Sequence, residues 1–246
     1  MRALACTLIL FLAASAGAAP DTSKRPVARA GTDTDSVVSV PRHAFAASVT
    51  SLRPTLRPGA IVQKAMARRA ERRKGQVCGD PDLQGDEVGF VPGRINGCGV
   101  AEAVRLKSVS GVSLSQHAVI DCPTARAIKT WTEKGANPAL RNVGGGLASF
   151  RVAAHYACRT RNNQPGARIS EHGRGRAIDI SGFVMKDGTT LTVLNDWNSR
   201  NGRALKSMHR AACGPFGTVL GPNSDRFHRD HFHFDTARHR GGPYCR

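Results

Sequence analysis

The chain has 246 residues, of which 40% are hydrophobic and 5% aromatic, so its core must rely on aliphatic side chains. It carries 36 Lys and Arg against 18 Asp and Glu, a formal net charge of +18 with His neutral. This composition excludes an acidic disordered protein and a multi-span membrane protein. The positive charge favours contact with a polyanion, either nucleic acid or an anionic surface such as a bacterial envelope.

The first residues have the pattern of a secretory signal peptide. Arg2 is followed by an apolar stretch, residues 3–14, and then by Ala16-Gly17-Ala18, an Ala-x-Ala cleavage signal. We therefore expect residues 1–19 to be a signal peptide, with an N-terminal anchor as the alternative. The mature chain is then expected to be periplasmic or secreted, without a transmembrane segment and without nucleic acid as a partner.

Residues 20–75 are predicted to be a basic, Pro- and Ala-rich linker that is disordered. This segment holds twelve basic residues against four acidic ones and shows little apolar periodicity. Residues 65–74 could instead form a short basic helix. The linker would be either a solvated tether or a segment that adheres to anionic envelope polymers.

The cysteines favour a domain that is cross-linked by disulfides. Of the seven cysteines, Cys6 lies in the predicted signal peptide, and the other six form an even set that predicts three disulfides in an exported chain, with fifteen possible pairings. We expect neighbours in sequence to pair: Cys78 with Cys98, Cys122 with Cys158 and Cys213 with Cys245. Because all six lie beyond residue 75, the folded domain is predicted to span residues 76–246.

Two helices are predicted in the first half of this domain. Ser113 or Ser115 is expected to cap a helix that runs through Trp131 and is stopped by Gly135. Asn137-Pro138 suits the start of a second, short helix.

The second half alternates strands and helices. A strand is predicted over residues 147–156, and a Lys-Asp-Gly turn joins residues 177–184 and 190–194 into a hairpin. A helix over residues 197–212 and a strand over residues 231–236 complete the pattern. The predicted fold class is α+β, with a mainly antiparallel sheet and flanking helices.

The last predicted strand carries an alternating polar motif. Its period of two places His231, His233 and Asp235 on one face and Phe232 and Phe234 on the other. The phenylalanines can anchor the strand in the core while the two imidazoles approach one ion or one water molecule.

A glycine-rich segment supplies a second polar pair. On a straight strand His172 and Asp179 would point to opposite faces about 23 Å apart. Gly173 and Gly175 permit a turn that folds His172 back over Asp179. With one histidine of the last strand, this gives three ligands and an open fourth position, as in a catalytic zinc site. The remaining histidine would act as a general base, whereas the alternative is a set of hydrogen-bonded polar strand residues.

These motifs resemble those of known families. Ser170-Glu171-His172-Gly173, with Gly175, Ala177 and Asp179, resembles the S-x-H-x-x-G-x-A-x-D signature of zinc D-Ala-D-Ala metallopeptidases. With His231-x-His233 it resembles the wider group of lysostaphin, murein endopeptidases and the hedgehog domain. The span 98–246 resembles the bacterial extensin-like C-terminal domain family. The matching segments are 156–159, 170–172, 177–183, 220–222, 231–235 and the terminal Cys-Arg.

The resemblance implies a zinc-peptidase core in which each residue has a role. His172, Asp179 and His233 would bind Zn²⁺, and His231 would be the base. Arg159 would stabilise the oxyanion, with a surface salt bridge as the alternative.

The implied function is an exported, zinc-dependent peptidase that hydrolyses an amide bond in peptidoglycan peptides. Endopeptidase activity is favoured because related carboxypeptidases carry Glu-x-x-His where this chain has His-x-His. The alternatives are a zinc-containing envelope-binding protein without turnover and, disfavoured by the signal peptide, a basic nucleic-acid binder.

The sequence also suggests the positions of four neighbouring residues. Asp235 is expected to orient a histidine, and Glu171 is expected to be exposed. Asp230 and His228 are expected to be loop residues without a role in the site.

Overall fold

The computed structural model describes residues 59–246. The predicted signal peptide, residues 1–19, and residues 20–58 of the predicted linker lie outside the described residues. Among residues 59–246, no helix has both the length and the apolar character that crossing a bilayer requires.

One sheet dominates the described residues. The ten strands found within residues 59–246 are β1 (Gln76–Val77), β2 (Asp80–Pro92), β3 (Gly99–Val109), β4 (Val112–Asp121), β5 (Leu147–Ala154), β6 (Ala177–Met185), β7 (Thr190–Thr192), β8 (Thr218–Leu220), β9 (Phe232–Asp235) and β10 (Tyr244–Cys245). Their order is β1-β2-β3-β4-β5-β6-β9-β8-β10, and β7 pairs with β6. Only the β4–β5 and β8–β10 pairs are parallel among these strands. The predicted α+β class with a mainly antiparallel sheet is confirmed.

The first α-helix precedes the strands, and the other four lie between them along the described chain. The helices are α1 (Gly59–Lys74), α2 (Cys122–Trp131), α3 (Asn137–Leu140), α4 (Val193–Asp196) and α5 (Gly202–Ala212). The basic segment at residues 65–74 forms a helix, which was the alternative to a disordered linker. This helix, α1, begins earlier, at Gly59, and none of its residues is buried.

The helix predicted from Ser113 or Ser115 is wrong over its first half. Residues 112–121 form β4, in which Val112, Leu114 and Ile120 point into the core in a strand pattern. Helix α2 begins only at Cys122 because Asp121 accepts a hydrogen bond from the Thr124 N–H at 2.9 Å, and because Pro123 fits a first helical turn.

Gly135 does not stop the chain's helical path, contrary to prediction. It lies inside a π-helical turn, Thr132–Ala136, which leads directly into the predicted short helix at Asn137-Pro138, α3. A Cβ at Gly135 would lie 2.8 Å from the Cβ of Ala211, so the glycine permits close packing against α5.

The other predicted elements are present with shifted ends. The strand at residue 147 and the hairpin of β6 and β7 are confirmed. The helix predicted from Trp197 begins at Gly202, since residues 193–196 form α4 and a turn follows it.

The disulfides join Cys78 to Cys122, Cys98 to Cys158 and Cys213 to Cys245. Only the last matches the neighbour pairing. Cys78 and Cys98 flank the two ends of β2, a strand of 13 residues, and such a strand holds its ends about 40 Å apart. A bond between them is therefore impossible.

The core packs helices against one face of the sheet. Trp131 of α2 is fully buried, stacks on Phe150 with a centroid distance of 5.2 Å and meets Phe234 at 4.9 Å. Its indole N–H donates a 2.8 Å hydrogen bond to the carbonyl of Met208 in α5. This contact ties both helices to the face of β9 that carries the phenylalanines.

Candidate metal centre

Pairing of β6 with β9 sets two of the candidate ligands side by side. In this antiparallel pair, Asp179 lies directly opposite His233. Phe232 and Phe234 are fully buried in the core, so His233 must point to the other face of the sheet. The predicted alternation of β9 therefore holds, although the strand begins one residue after His231.

A tight turn brings His172 over this pair. Residues Glu171–Arg174 form a single 3-10 turn that ends at Gly175, whose φ of 67° is left-handed. Gly173 is closely packed, since a Cβ there would lie 3.0 Å from the Sγ of Cys98. The two glycines thus allow the reversal that the sequence predicted between His172 and Asp179.

Three ligand-type atoms converge at this point. The His172 Nε2 lies 3.2 Å from His233 Nδ1 and 3.2 Å from Asp179 Oδ2, and His233 Nδ1 lies 2.8 Å from Asp179 Oδ1. A tetrahedral zinc ion with bonds of about 2.0–2.1 Å spaces its ligand atoms about 3.3 Å apart. The three spacings are close to this value or slightly shorter, so these side chains could hold a zinc ion after shifts of a few tenths of an ångström.

Hydrogen bonds from outside the cluster fix which nitrogen atoms face inward. The His172 Nδ1–H donates to the carbonyl oxygen of His155 at 2.8 Å, which leaves its Nε2 lone pair directed at the cluster. His233 Nε2–H donates to Asp235 Oδ2 at 3.1 Å, as expected for an orienting carboxylate. When both imidazoles are neutral, these tautomers direct two lone pairs and a carboxylate at one point, which is the chemistry of a cation site.

Burial and hydrogen bonding strongly shift the pKa values of His233 and Asp179. Burial alone would lower the pKa of His233, but hydrogen bonds to Asp179 and Asp235 outweigh it and raise the pKa to about 9. Burial would raise the pKa of Asp179, whereas hydrogen bonds from His172 and His233 hold it well below its usual range. In the metal-free protein, a proton on His233 thus occupies the place of the cation.

His231 stands beside this cluster. Its Nδ1–H donates to Asp230 Oδ1 at 2.8 Å, and its Nε2 lies 3.7 Å from Asp179 Oδ2. Asp230 lies in a loop, as expected, and its hydrogen bond fixes the tautomer that leaves the Nε2 lone pair of His231 free.

A cleft of about 620 Å³ surrounds all four residues and includes Arg159 in its wall. Arg159 is half-buried, and its carbonyl accepts a 3.0 Å hydrogen bond from the Ser170 N–H, which fixes its backbone beside the turn of His172. Among residues 59–246, no carboxylate lies within ion-pair distance of Arg159. The described structure thus gives no support to the alternative of a surface salt bridge.

Residues 89–246 match the family described as extensin-like protein C-terminus. The chain belongs to this family. No curated protein and no solved structure is significantly similar to the chain. Every residue of the candidate metal centre lies inside the matched range.

In the extensin-like domain a fourth histidine, His228, also lines the cleft, although the sequence indicated only a loop residue. His228 lies 5.3 Å from His231 and 5.6 Å from His233 between ring centroids, and its Nδ1–H donates to Asp225 at 2.8 Å. Burial lowers the pKa of His228, only partly offset by the hydrogen bond to Asp225. An aspartate precedes each of these histidines, in Asp225-x-x-His228 and in Asp230-His231, and this is a signal that could have identified the second oriented imidazole.

Glu171 also differs from expectation. It was predicted to be exposed, but only 6% of it is accessible, and its Oε1 accepts a 3.2 Å hydrogen bond from Arg174. The 3-10 turn of the extensin-like domain turns the side chains of both Glu171 and His172 inward, which a strand could not do.

Proposed function

We propose that this chain is an exported zinc-dependent peptidase that hydrolyses an amide bond in peptidoglycan peptides, most simply a cross-link. One observation carries the proposal. His172, Asp179 and His233 offer three converging ligand atoms, all within 4.8 Å of one another, in a cleft that also holds an imidazole with a free acceptor nitrogen. A purely structural metal site would not require that fourth group.

Zinc is the ion that the donor set favours, since two imidazoles and one carboxylate with an open position match catalytic zinc sites. When bound, the ion supplies Lewis acidity, which polarises a carbonyl group and lowers the pKa of a water molecule to about 7. His172, Asp179 and His233 would hold it, and Asp235 and the carbonyl of His155 would keep the two imidazoles in their binding tautomers.

The proton transfers fall to His231. Its Nε2 would accept a proton from the attacking water molecule as the water oxygen bonds to the amide carbon. The same imidazole would return that proton to the amide nitrogen when the C–N bond breaks, and Asp230 would stabilise the charged ring in between.

Arg159 would stabilise the negative charge that develops on the carbonyl oxygen. A fixed guanidinium in a cleft wall can contribute a few kcal/mol to such a transition state. The high net charge of the chain would also keep it close to an anionic envelope.

The test is digestion of cross-linked muropeptides by purified wild type and by His231→Ala, with zinc measured by mass spectrometry in both. We expect about one zinc per chain in both proteins and release of monomers by the wild type only. His117→Ala, on an exposed strand position, is the matched control and should behave as wild type.

The same experiment separates the alternatives. Stoichiometric zinc without any release of monomers would favour the zinc-containing envelope-binding protein. Full activity of His231→Ala would exclude His231 as the base, and a zinc-free wild type that still cleaves would refute the proposal.

A further inference from the structure

A groove lined by arginines borders the cleft. Its volume is about 480 Å³, and we call it the arginine groove after the five arginines in its walls: Arg161, Arg168, Arg174, Arg176 and Arg238. Arg161, Glu171 and His239 line both the groove and the cleft, so the two form one continuous surface.

Backbone hydrogen bonds fix the backbone of three of these arginines. The Arg161 N–H donates to the carbonyl of Arg168 at 2.9 Å, within the loop that follows β5. The Thr236 N–H donates to the carbonyl of Arg176 at 3.1 Å, which ties the segment after the 3-10 turn to the end of β9, near Arg238. The backbone of Arg161, Arg168 and Arg176 is therefore held in place, and less backbone entropy is lost when their side chains bind a ligand.

The charge of the groove is strongly unbalanced. Its five guanidinium groups face one carboxylate, Glu171, which is paired with Arg174, while Arg176 lies 3.7 Å from Asp121. For the remaining three arginines (Arg161, Arg168 and Arg238), no carboxylate within residues 59–246 lies at ion-pair distance. All three are exposed and can bind an external anion.

The position of the groove indicates which anion. A peptide whose amide bond lies beside His172 and His233 must continue out of the cleft, and the arginine groove is continuous with that cleft. Cell-wall stem peptides contain acidic residues and a free C-terminus and therefore carry carboxylates, and a guanidinium group binds a carboxylate with two parallel hydrogen bonds. We infer that the arginine groove binds the free carboxylates of the peptidoglycan peptide whose amide bond lies in the cleft; this inference rests on the proposed function.

Sedimentation with purified peptidoglycan sacculi tests the inference. All proteins carry His231→Ala to prevent turnover and are assayed on ice with zinc present. The triple variant R161Q/R168Q/R238Q should bind at least about tenfold more weakly, because each charge-assisted hydrogen bond is worth about one such factor. The matched control is R200Q/R203Q/R210Q, which removes three exposed charges at or beside α5 and should bind as the parent does. Thermal unfolding establishes that every variant is folded.

Two chemical treatments of the sacculi identify the anion. Amidation of the peptide carboxylates should remove the difference between parent and groove variant, whereas stripping of phosphate polymers with hydrofluoric acid should preserve it. The inference is overturned if the groove variant binds as tightly as its parent, or if phosphate removal alone abolishes the difference. If the wild type fails to cleave in the muropeptide digestion while the His231→Ala parent still binds sacculi through the groove, the peptidase proposal is refuted and the carboxylate-binding surface stands.

Discussion

Zinc affinity should rise steeply with pH because the metal must displace the proton on His233. That proton is stabilised by Asp179 on one side and Asp235 on the other, which raises the pKa of His233 to about 9. Below this pKa the metal competes with the proton, and above it the site is ready to bind. The affinity should therefore increase about tenfold for each pH unit up to about 9.

The magnitude follows from the pKa. At pH 7 the proton must be removed from a group that titrates two units higher, which costs about 3 kcal/mol and weakens binding about a hundredfold relative to the fully deprotonated site. Competition against a chromogenic chelator, corrected for the chelator's own protonation, measures the affinity at each pH. Calorimetry in buffers of different ionisation enthalpy should find about one proton released per zinc ion at pH 7.

A variant of the orienting carboxylate sharpens the test. Asp235→Asn still accepts a hydrogen bond from His233 but removes one negative charge, so the pKa of His233 should fall and the pH dependence should end at a lower pH. Asp187→Asn, in the exposed turn between β6 and β7, is the matched control and should follow the wild type. An affinity that does not change between pH 7 and 9 in the wild type would refute this account of the site.

Three further predictions concern stability. Because the pKa of His233 is raised, protonated His233 stabilises the metal-free protein fully below the ordinary pKa of 6.5, and up to about 3 kcal/mol of this stability should be lost as the pH rises through about 9. Urea unfolding with a chelator present measures the free energy of unfolding at each pH, and a value that does not change with pH would contradict the prediction. Replacing Cys78 and Cys122 together by Ser opens a loop with a sequence separation of 44 and should cost about 4 kcal/mol in denaturant unfolding, whereas a cost near zero would contradict the pairing. Trp131→Ala should cost about 4 kcal/mol, because the indole is fully buried and hydrogen-bonded to Met208; Trp197→Phe, at a less buried position, should cost less.

Two features of the candidate site were predictable because their determinants are local. The alternation from His231 to Asp235 sets the faces of β9, and glycines at 173 and 175 allow the turn that reverses the chain before Asp179. No local pattern shows that Asp179 lies beside His233, 54 residues later in the chain. His233 was named as a ligand only because of the resemblance to zinc peptidases. His228 was missed because its approach to His231 depends on the course of a loop.

Much of the sheet could not be read from the sequence. Bulges interrupt the register between β2 and β3 at three places, after Gln84, Glu87 and Gly89, so the period-two pattern of a strand is broken there. Strand β4 was predicted as part of a helix. Its buried residues were taken with those of α2 as one helical stripe, and the two elements meet without a loop at Asp121.

The core and the candidate site share one strand and therefore one register. Phe232 and Phe234 are fully buried on the face of β9 next to Trp131, and His233 lies between them on the other face. A slip of one residue in the pairing of β9 with β6 would place His233 in the core and expose both phenylalanines. Because burying a phenylalanine is worth about 2–3 kcal/mol, the hydrophobic side of the strand opposes such a slip with about 5 kcal/mol. The positions of His233 and Asp179 are thus fixed by apolar side chains that never touch the ligand atoms.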